Sequence, residues 1–153
     1  MIEEGQQAPE FALENDAGET VRLSDLRGQT VVLYFYPKDD TPGCTTQACG
    51  LRDSWADLQA TGAVVLGISP DTVAKHVKFR EKYGLPFNLL ADPEHEVAER
   101  YGVWGEKSYM GRKYMGVSRS TFVIGPDGAV AKVMHGVKPA EHADDVLSIL
   151  ATA

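Results

Sequence analysis

The feature of the sequence that most restricts the possible folds is an uninterrupted apolar run at residues 31–36, which ends at Pro37. Its β-branched and aromatic residues, with no polar alternation, are typical of a strand that is buried on both faces. Apolar residues then recur at spacings of three and four within residues 42–60, which predicts an amphipathic helix. A buried strand that leads into a helix favours an open α/β sheet, in which ligands bind at the carboxyl ends of the strands.

Cys44 lies at that junction between strand and helix. Threonine is a favourable N-cap and proline favours the first helical position, so Thr41 and Pro42 place Cys44 in the first turn. Unpaired N–H groups and the positive end of the helix stabilise a thiolate there. We expect Asp39 and Asp40, whose charges would oppose a thiolate, to point into solvent. The alternative is that Cys44 is a small buried hydrophobic residue.

A second cysteine, Cys49, follows five residues after Cys44. On an intact helix this spacing gives a rise of about 7.5 Å and a turn of roughly 140°. The two Cα atoms would then lie about 8–9 Å apart, which is beyond disulfide geometry. The thiols can pair only if the first helical turns unwind, which indicates a redox switch rather than a structural staple. The alternative is that Cys49 is an inert residue of the helix.

Strand and helix patterns alternate through the rest of the chain. The sequence predicts an N-terminal hairpin from strands at 11–13 and Thr20–Arg22, a helical turn at 24–28, strands at 63–69, 87–91, Ser120–Ile124 and 129–137, and helices at 71–83, 93–101 and 139–150. Residues 102–118 are rich in glycine and lack a period, so we interpret them as a flap near the thiol or a solvated connector. Together these patterns predict an α/β fold with a central mixed sheet and helices on both faces.

Length and composition limit the classes of function that the chain can have. The 153 residues, 43% of them hydrophobic, fit a single domain spanning residues 1–153. A net charge of −7 opposes nucleic-acid binding, which needs a basic surface. Neither a membrane span nor a signal peptide is recognisable, so we expect a cytoplasmic protein. Two cysteines in a reducing compartment are more often catalytic or metal-binding than structural, and the four histidines lack the spacing of metal ligands.

The sequence around the two cysteines resembles the active-site signature of the peroxiredoxins. Pro37-x-x-x-Thr41-x-x-Cys44 matches that signature, and the longer string Thr41-Pro-Gly-Cys44-Thr-x-x-Ala-Cys49-x-x-Arg-Asp is similar to the bacterioferritin-comigratory-protein, or peroxiredoxin Q, branch. The similarity extends to three further segments, at residues 67–71, 101–107 and 119–124. Gln47 departs from the pattern, because many members of that branch carry a glutamate at this position.

The resemblance implies a thioredoxin-like fold with an N-terminal β-hairpin extension and a thiol-dependent peroxidase activity that serves antioxidant defence. Cys44 would be the peroxidatic cysteine, and Cys49 the resolving cysteine that condenses with its sulfenic acid. Thr41, the Cys44 N–H and Arg119 would donate hydrogen bonds to the reacting oxygens, and Pro37 would shield the pocket from water. Without the resemblance, the pattern around Arg119 is typical of a solvated charge at a strand end, and Pro37 is a sufficient strand terminator.

The resemblance also implies the partners of the reaction. The substrates would be hydrogen peroxide or small organic hydroperoxides and the reductant a thioredoxin-type dithiol, with no metal, haem or flavin. Because both cysteines lie in one chain, we expect a monomer. Lys107, Arg112 and Lys113 form a small basic cluster that would either attract an acidic reductant or belong to a solvated loop.

Two other functions compete with a peroxidase. One is a thiol–disulfide oxidoreductase, which is opposed by Thr41 at the position where thioredoxins carry the first cysteine of Cys-x-x-Cys. The other is a redox-sensing or zinc-binding module, which is opposed by the lack of a histidine pair near the two thiols.

Overall fold

The computed structural model describes residues 1–152. These residues form the strands β1 (Ala12–Asn15), β2 (Thr20–Arg22), β3 (Val31–Phe35), β4 (Val64–Ser69), β5 (Asn88–Ala91), β6 (Trp104–Tyr109), β7 (Arg112–Val117), β8 (Ser120–Ile124) and β9 (Val130–His135). The helices are a 3-10 helix (Leu23–Leu26), α1 (Pro42–Asp53), α2 (Trp55–Ala60), α3 (Val73–Tyr83), α4 (Glu96–Arg100) and α5 (His142–Thr152). Seven strands form one sheet in the order β2-β1-β5-β4-β3-β8-β9, and β6 pairs with β7 in a separate hairpin.

Strand β3 lies inside the sheet, and all of its residues are buried, as its continuous apolar run predicts. It runs parallel to β4 and antiparallel to β8, while β4 runs parallel to β5. The N-terminal hairpin of β1 and β2 joins this sheet through antiparallel pairing of β1 with β5. The structure therefore confirms the expected mixed sheet of the thioredoxin-like type and its N-terminal hairpin extension.

The two faces of β3 contribute to two separate hydrophobic cores, because successive side chains of a strand point to opposite sides. Val31, Leu33 and Phe35 pack on one side with residues of α4 and of the N-terminal segment. Val32 and Tyr34 pack on the other side with residues of α1, α2, α3 and α5. Helices thus cover both faces of the sheet, and α1 is held at the carboxyl end of β3.

Two helices differ from their predicted lengths. The helix predicted over 42–60 is interrupted at Ser54, which has φ −97° and ψ 12°. The serine side chain competes with the helical backbone for hydrogen bonds, and serine is therefore a poor helix former in a helix interior. The helix predicted over 93–101 is reduced to α4, since His95 has a left-handed φ of 48° and the Asp92 carboxylate accepts amide hydrogen bonds from the first turn. None of the helices within residues 1–152 combines the length and the apolar character needed to cross a membrane.

Residues 102–118 lack a period in the sequence, yet they are regular in the structure and form the β6–β7 hairpin. Its tight turn is made by Met110 and Gly111, which have φ values of 50° and 80°. Most of its side chains are exposed on both faces of the ribbon, so no apolar alternation marks its strands. Trp104 is the packing anchor at its base, where the indole stacks on His95 with ring centroids 3.8 Å apart.

Candidate active site

Cys44 lies in the first turn of α1, beyond the carboxyl end of β3. Thr41 is the N-cap residue and Pro42 the first helical residue, as the sequence predicts. The Cys44 side chain is only 2% exposed. Its sulfur thus lies buried at the start of a helix, beside amides that have no intrahelical acceptor and at the positive end of the helix dipole.

The Thr41 side chain does not cap the helix. Its hydroxyl donates a hydrogen bond of 2.8 Å to the carbonyl of Lys38, while its own carbonyl accepts the first helical bond, from the Thr45 N–H. Since a carbonyl can only accept, the hydroxyl proton is committed to Lys38. The Thr41 oxygen is left with free lone pairs, so it can accept a hydrogen bond from a bound molecule.

Arg119 reaches the thiol because β8 is antiparallel to β3. Ser120, the first residue of β8, pairs with Phe35, the last residue of β3, so the residue before β8 lies at the edge where Cys44 begins its helix. The Arg119 Nη2 lies 3.4 Å from the Cys44 Sγ. The structure thus brings the predicted guanidinium and the predicted nucleophile into contact.

A buried chain of hydrogen bonds holds the other end of the guanidinium. Arg119 Nη1 donates to Gln47 Oε1 at 2.6 Å, and Gln47 Nε2 lies 3.2 Å from His142 Nδ1. His142 Nε2 lies 2.8 Å from the Thr121 hydroxyl oxygen. Because the amide oxygen faces a cation, the amide nitrogen must donate to Nδ1, which makes His142 the tautomer with its proton on Nε2. Gln47 therefore orients Arg119 without placing a carboxylate beside the thiol.

Two further basic groups surround the site. Burial, reinforced by the charge of Arg119, lowers the pKa of His142 to about 4, so this imidazole is neutral at pH 7 and can accept from Gln47. Lys107, whose Nζ donates to the Val117 carbonyl at 2.9 Å, is near enough to Arg119 to be affected by it. Burial lowers the pKa of Lys107, and the Arg119 charge adds to this effect, whereas Cys44 opposes it.

Gly43 makes the close approach of Arg119 possible. A Cβ atom at this position would lie 3.1 Å from Arg119 Nη2 and 3.6 Å from the Pro139 side chain. A side chain at this position would therefore require the guanidinium to shift by a few tenths of an ångström, whereas its contact with Pro139 would be an ordinary one.

Both cysteines carry free thiols, and α1 is continuous from Pro42 through Cys49. Cys49 is half-buried and lies about 1.4 turns further along the helix. The structure is consequently the folded, reduced arrangement that the five-residue spacing predicts, in which the two sulfurs cannot bond. Pro37 is half-buried in the loop after β3, and its role in excluding water stays a prediction.

Sequence reasoning missed several polar residues near the thiol. Gln47 and His142 are 95 residues apart in the chain, so no local pattern reveals their contact. The expectation that Asp39 points into solvent was wrong, because its side chain is buried at 8% exposure, whereas Asp40 is exposed as expected. Its neighbours Lys38 and Asp40 are charged and exposed, so the sequence gives no sign that Asp39 has buried partners.

Comparisons with known proteins place the chain in a family. Residues 4–133 match the AhpC/TSA family. The peroxiredoxin Bcp of Bacillus subtilis is 51% identical over 149 residues, which cover 97% of this chain and 95% of the relative. The putative peroxiredoxin bcp of Coxiella burnetii is also 51% identical, with 97% of this chain and 99% of the relative covered.

Solved structures agree with these sequence matches. A peroxiredoxin Q variant of Xylella fastidiosa superposes with a TM-score of 0.93 at 32% identity, covering 99% of this chain and 97% of that chain. The bacterioferritin comigratory protein of Xanthomonas campestris, described for its alkyl peroxide reduction activity, superposes with a TM-score of 0.88 at 36% identity, covering 93% and 90%. With a helix-terminal cysteine in contact with an arginine and matches over nearly its whole length, the chain belongs to the AhpC/TSA family as a peroxiredoxin of the Bcp, or peroxiredoxin Q, group, whose activity is that of a thiol peroxidase.

Proposed function

We propose that Cys44 is the nucleophile of this peroxidase and that hydrogen peroxide and small organic hydroperoxides are its substrates. The Cys44 thiolate attacks one peroxide oxygen, the O–O bond breaks, and hydroxide or an alkoxide leaves and takes up a proton. The sulfur becomes a sulfenic acid, so the thiolate is oxidised by two electrons and the peroxide is reduced by two. The single observation that carries this proposal is the 3.4 Å contact between Arg119 and the Cys44 sulfur at the start of a helix.

Ionisation of the sulfur does not account for catalysis alone. An ordinary thiol, with a pKa near 8.5, is already a few per cent ionised at neutral pH, so complete ionisation gains only about thirty-fold, or ~2 kcal/mol. A larger acceleration requires donors that follow the charge as it moves from sulfur to the leaving oxygen. The Arg119 guanidinium has further N–H groups beyond those on Cys44 and Gln47, so it can contact sulfur and a peroxide oxygen together.

The other contacts orient the peroxide. The Cys44 N–H lies in the first helical turn, where amides have no intrahelical acceptor, and can donate to a peroxide oxygen. The Thr41 hydroxyl donates to Lys38, so we assign it the acceptor role towards the O–H of the incoming peroxide. Pro37 closes the loop beside them and limits the access of water. The N–H donors would hold one peroxide oxygen, and the Thr41 hydroxyl would accept from the protonated oxygen. Together these contacts would fix the direction from which the sulfur attacks.

We propose that Cys49 resolves the sulfenic acid. Its thiolate attacks the Cys44 sulfur, the S–O bond breaks, water leaves after protonation, and an intramolecular disulfide forms. Because α1 holds the two sulfurs apart, the first turns of α1 must unwind, which breaks the contacts of Arg119 with Cys44 and Gln47. A thioredoxin-type dithiol then reduces the disulfide and completes the cycle. All steps need one chain, so we propose a single-domain monomer that acts in the cytoplasm in antioxidant defence.

A coupled assay tests these assignments. Peroxide consumption is followed with thioredoxin, thioredoxin reductase and NADPH, and compared between wild type, Cys44→Ser and Cys49→Ser. We expect no turnover with Cys44→Ser, whereas Cys49→Ser should be oxidised once and then not recycled. Turnover retained by Cys44→Ser would refute the nucleophile, and undiminished cycling by Cys49→Ser would refute the resolver. Disulfide reduction by the wild type without any peroxide would instead support a thiol–disulfide oxidoreductase.

A further inference from the structure

Asp39 carries a buried carboxylate near the active site that has partners on both oxygens, although it makes no hydrogen bond to either cysteine. Its Oδ1 accepts a hydrogen bond of 2.6 Å from the Tyr36 hydroxyl, and its Oδ2 lies 2.6 Å from His76 Nδ1. Its backbone N–H donates to the Asp71 carboxylate at 2.8 Å. Burial raises the pKa of Tyr36 far above its usual range, so this phenol stays protonated and remains a donor. Hydrogen bonds thus fix both the side chain and the backbone of Asp39, which lies in the loop between β3 and α1.

His76 links this carboxylate to helix α3 and to the sheet. Its side chain is fully buried, and its Nε2 lies 3.0 Å from the carbonyl of Leu90 in β5. The carbonyl can only accept, so Nε2 carries a proton, and one further proton lies between Nδ1 and the Asp39 oxygen. Both ring nitrogens are therefore occupied, and the imidazole cannot rotate without losing a buried hydrogen bond.

Asp39, Asp71 and His76 supply ligand-type atoms within 4.8 Å of one another. Their geometry is nevertheless that of a hydrogen-bonded cluster, here called the anchor, and not that of a metal site. Two ligands of one tetrahedral zinc, each about 2.0–2.1 Å from the metal, lie roughly 3.3 Å apart. The contact between Asp39 and His76 is 2.6 Å. The facing oxygen of Asp71 already accepts two hydrogen bonds, from the Asp39 N–H and from the Ser69 hydroxyl at 2.6 Å.

A second contact ties the same loop to the same helix. Asp40 has a left-handed φ of 57°, which costs energy for a residue with a side chain and persists only where the surroundings hold it. Its carboxylate accepts hydrogen bonds of 2.8 Å from Lys82 Nζ and 2.8 Å from the Tyr83 hydroxyl, both at the end of α3. The loop before α1 is therefore fixed to α3 at two points, one buried and one exposed.

We propose that Asp39 and His76 are positioning residues that form the N-terminal limit of the segment that unwinds, and so keep Thr41 and the start of α1 in place through the redox cycle. This inference rests on the proposed role of Cys44 and Cys49. In the folded state the anchor holds the Lys38 carbonyl, to which the Thr41 hydroxyl donates. When α1 unwinds, the contacts of Asp39 survive, because none of them involves a residue of α1.

The two sides of the proposed limit differ in what holds them. The first turns of α1, beyond Thr41, are held by helical bonds and by the contacts of Gln47 and Cys44 with Arg119, which the disulfide must disrupt. Asp39 is held by the side chains of Tyr36, which directly follows β3, of His76 in α3 and of Asp71 in the β4–α3 connection, which the disulfide does not reach. Reduction then requires only that α1 winds again from a fixed starting point, which favours rapid return of the peroxide-binding geometry.

Amide hydrogen exchange on the wild-type protein tests the limit directly. We compare the reduced form with the form oxidised by one equivalent of hydrogen peroxide. The amide of Asp39, which donates to Asp71, should keep its protection within about threefold, whereas the amides from Thr45 to Cys49 should lose at least tenfold. If the Asp39 amide loses protection together with those of α1, the anchor does not limit the unwinding and the proposal is overturned. If no disulfide forms, the proposed function fails instead.

Variants of Asp39 test the positioning role. Asp39→Ala should slow the second-order reaction of Cys44 with peroxide by about ten- to a hundredfold, because the start of α1 is misplaced, without slowing the later condensation with Cys49. Asp39→Asn keeps an oxygen for Tyr36 and an N–H for His76 Nδ1, so it should restore the rate to within about threefold of wild type. Should Asp39→Ala not fold, His76→Gln replaces it, and the same loss is expected.

The control is Arg80→Gln. Arg80 lies on α3, as His76 does, and the substitution breaks its 2.8 Å ion pair with Asp16 without changing the loop before α1. It should lower thermal stability and leave the peroxide rate of the folded protein unchanged. A merely structural role for Asp39 would make Asp39→Ala behave like this control, with an unchanged peroxide rate, and that result overturns the proposal. A wild-type protein without peroxide reactivity would refute the proposed function and not the anchor.

Discussion

Replacement of Arg119 by glutamine separates two roles that the guanidinium can have in the peroxide step. The substitution removes the Nη2 contact of 3.4 Å with the Cys44 sulfur and the positive charge. If Arg119 only helped the thiol to ionise, its loss would cost at most about thirty-fold, or ~2 kcal/mol, and the loss would vanish at alkaline pH. If it stabilises charge on the departing oxygen, the loss should reach at least about a hundredfold, or ~2.7 kcal/mol, and persist at every pH.

We expect the second outcome, because the guanidinium is held from behind by Gln47 and is therefore aimed at the pocket before the peroxide arrives. The assay is stopped-flow oxidation of Cys44 by hydrogen peroxide, measured from neutral to alkaline pH and combined with a direct titration of thiolate absorbance. Arg112→Gln is the matched control, since it removes the same charge from the exposed β6–β7 hairpin and should change the rate by less than threefold.

Two results would refute this reasoning. One is a loss below threefold for Arg119→Gln, which would mean that the contact with sulfur has no catalytic role. The other is a loss that disappears once the thiolate titration shows complete ionisation, which would limit Arg119 to forming the nucleophile. The same variant leaves the fully buried Gln47 amide oxygen without its donor, so unfolding should also become easier, by about 1–3 kcal/mol. Denaturant unfolding measures that cost separately.

Two further changes follow from the site. Gly43→Ala should raise the free energy of unfolding by up to ~1 kcal/mol, because alanine has a higher helix propensity than glycine. It should also slow the peroxide step severalfold, because its Cβ would lie 3.1 Å from Arg119 Nη2. An unchanged rate would show that the position of the guanidinium is not critical. His142, with its pKa lowered from 6.5 to about 4, stabilises the fold above pH 6.5 and loses that contribution as the pH falls towards 4, about 3 kcal/mol in all. Unfolding by urea across this range should therefore show a steep decline for wild type and a flatter one for His142→Asn; equal slopes would contradict the assignment.

The backbone around Cys44 could be predicted from the sequence because each of its determinants is local. The continuous apolar run of β3, the proline at the first helical position and the N-cap threonine act within a few residues of one another. The same locality explains the success with α3, whose C-cap Gly84 has the left-handed φ of 60° that glycine favours.

The contacts that shape the site could not be predicted, because they join distant segments through buried polar atoms. His142 reaches Gln47 across 95 residues, and His76 reaches Asp39 across 37. An aspartate beside another aspartate in a loop is ordinarily solvated, so its burial depends entirely on partners that sequence spacing does not reveal. The β6–β7 hairpin could not be predicted for another reason. Its strands are exposed on both faces and therefore carry no hydrophobic period.

The arrangement of polar contacts around α1 agrees with the two opposite demands on this helix. In the proposed cycle, attack on peroxide requires Cys44 to stay at a formed helix end against Arg119, whereas resolution by Cys49 requires the same turns to unwind. The contacts that break on unwinding are few: those of Arg119 with Cys44 and Gln47, and the neutral bond between Gln47 and His142, which contributes only about 0.5–1.5 kcal/mol net. The buried carboxyl groups of Asp39 and Asp71 lie outside the segment proposed to unwind, where breaking their hydrogen bonds would leave buried polar atoms unpaired at a higher cost. A small number of contacts on the moving side and a buried carboxylate network on the fixed side would let the helix open over a short distance while the rest of the fold remains intact.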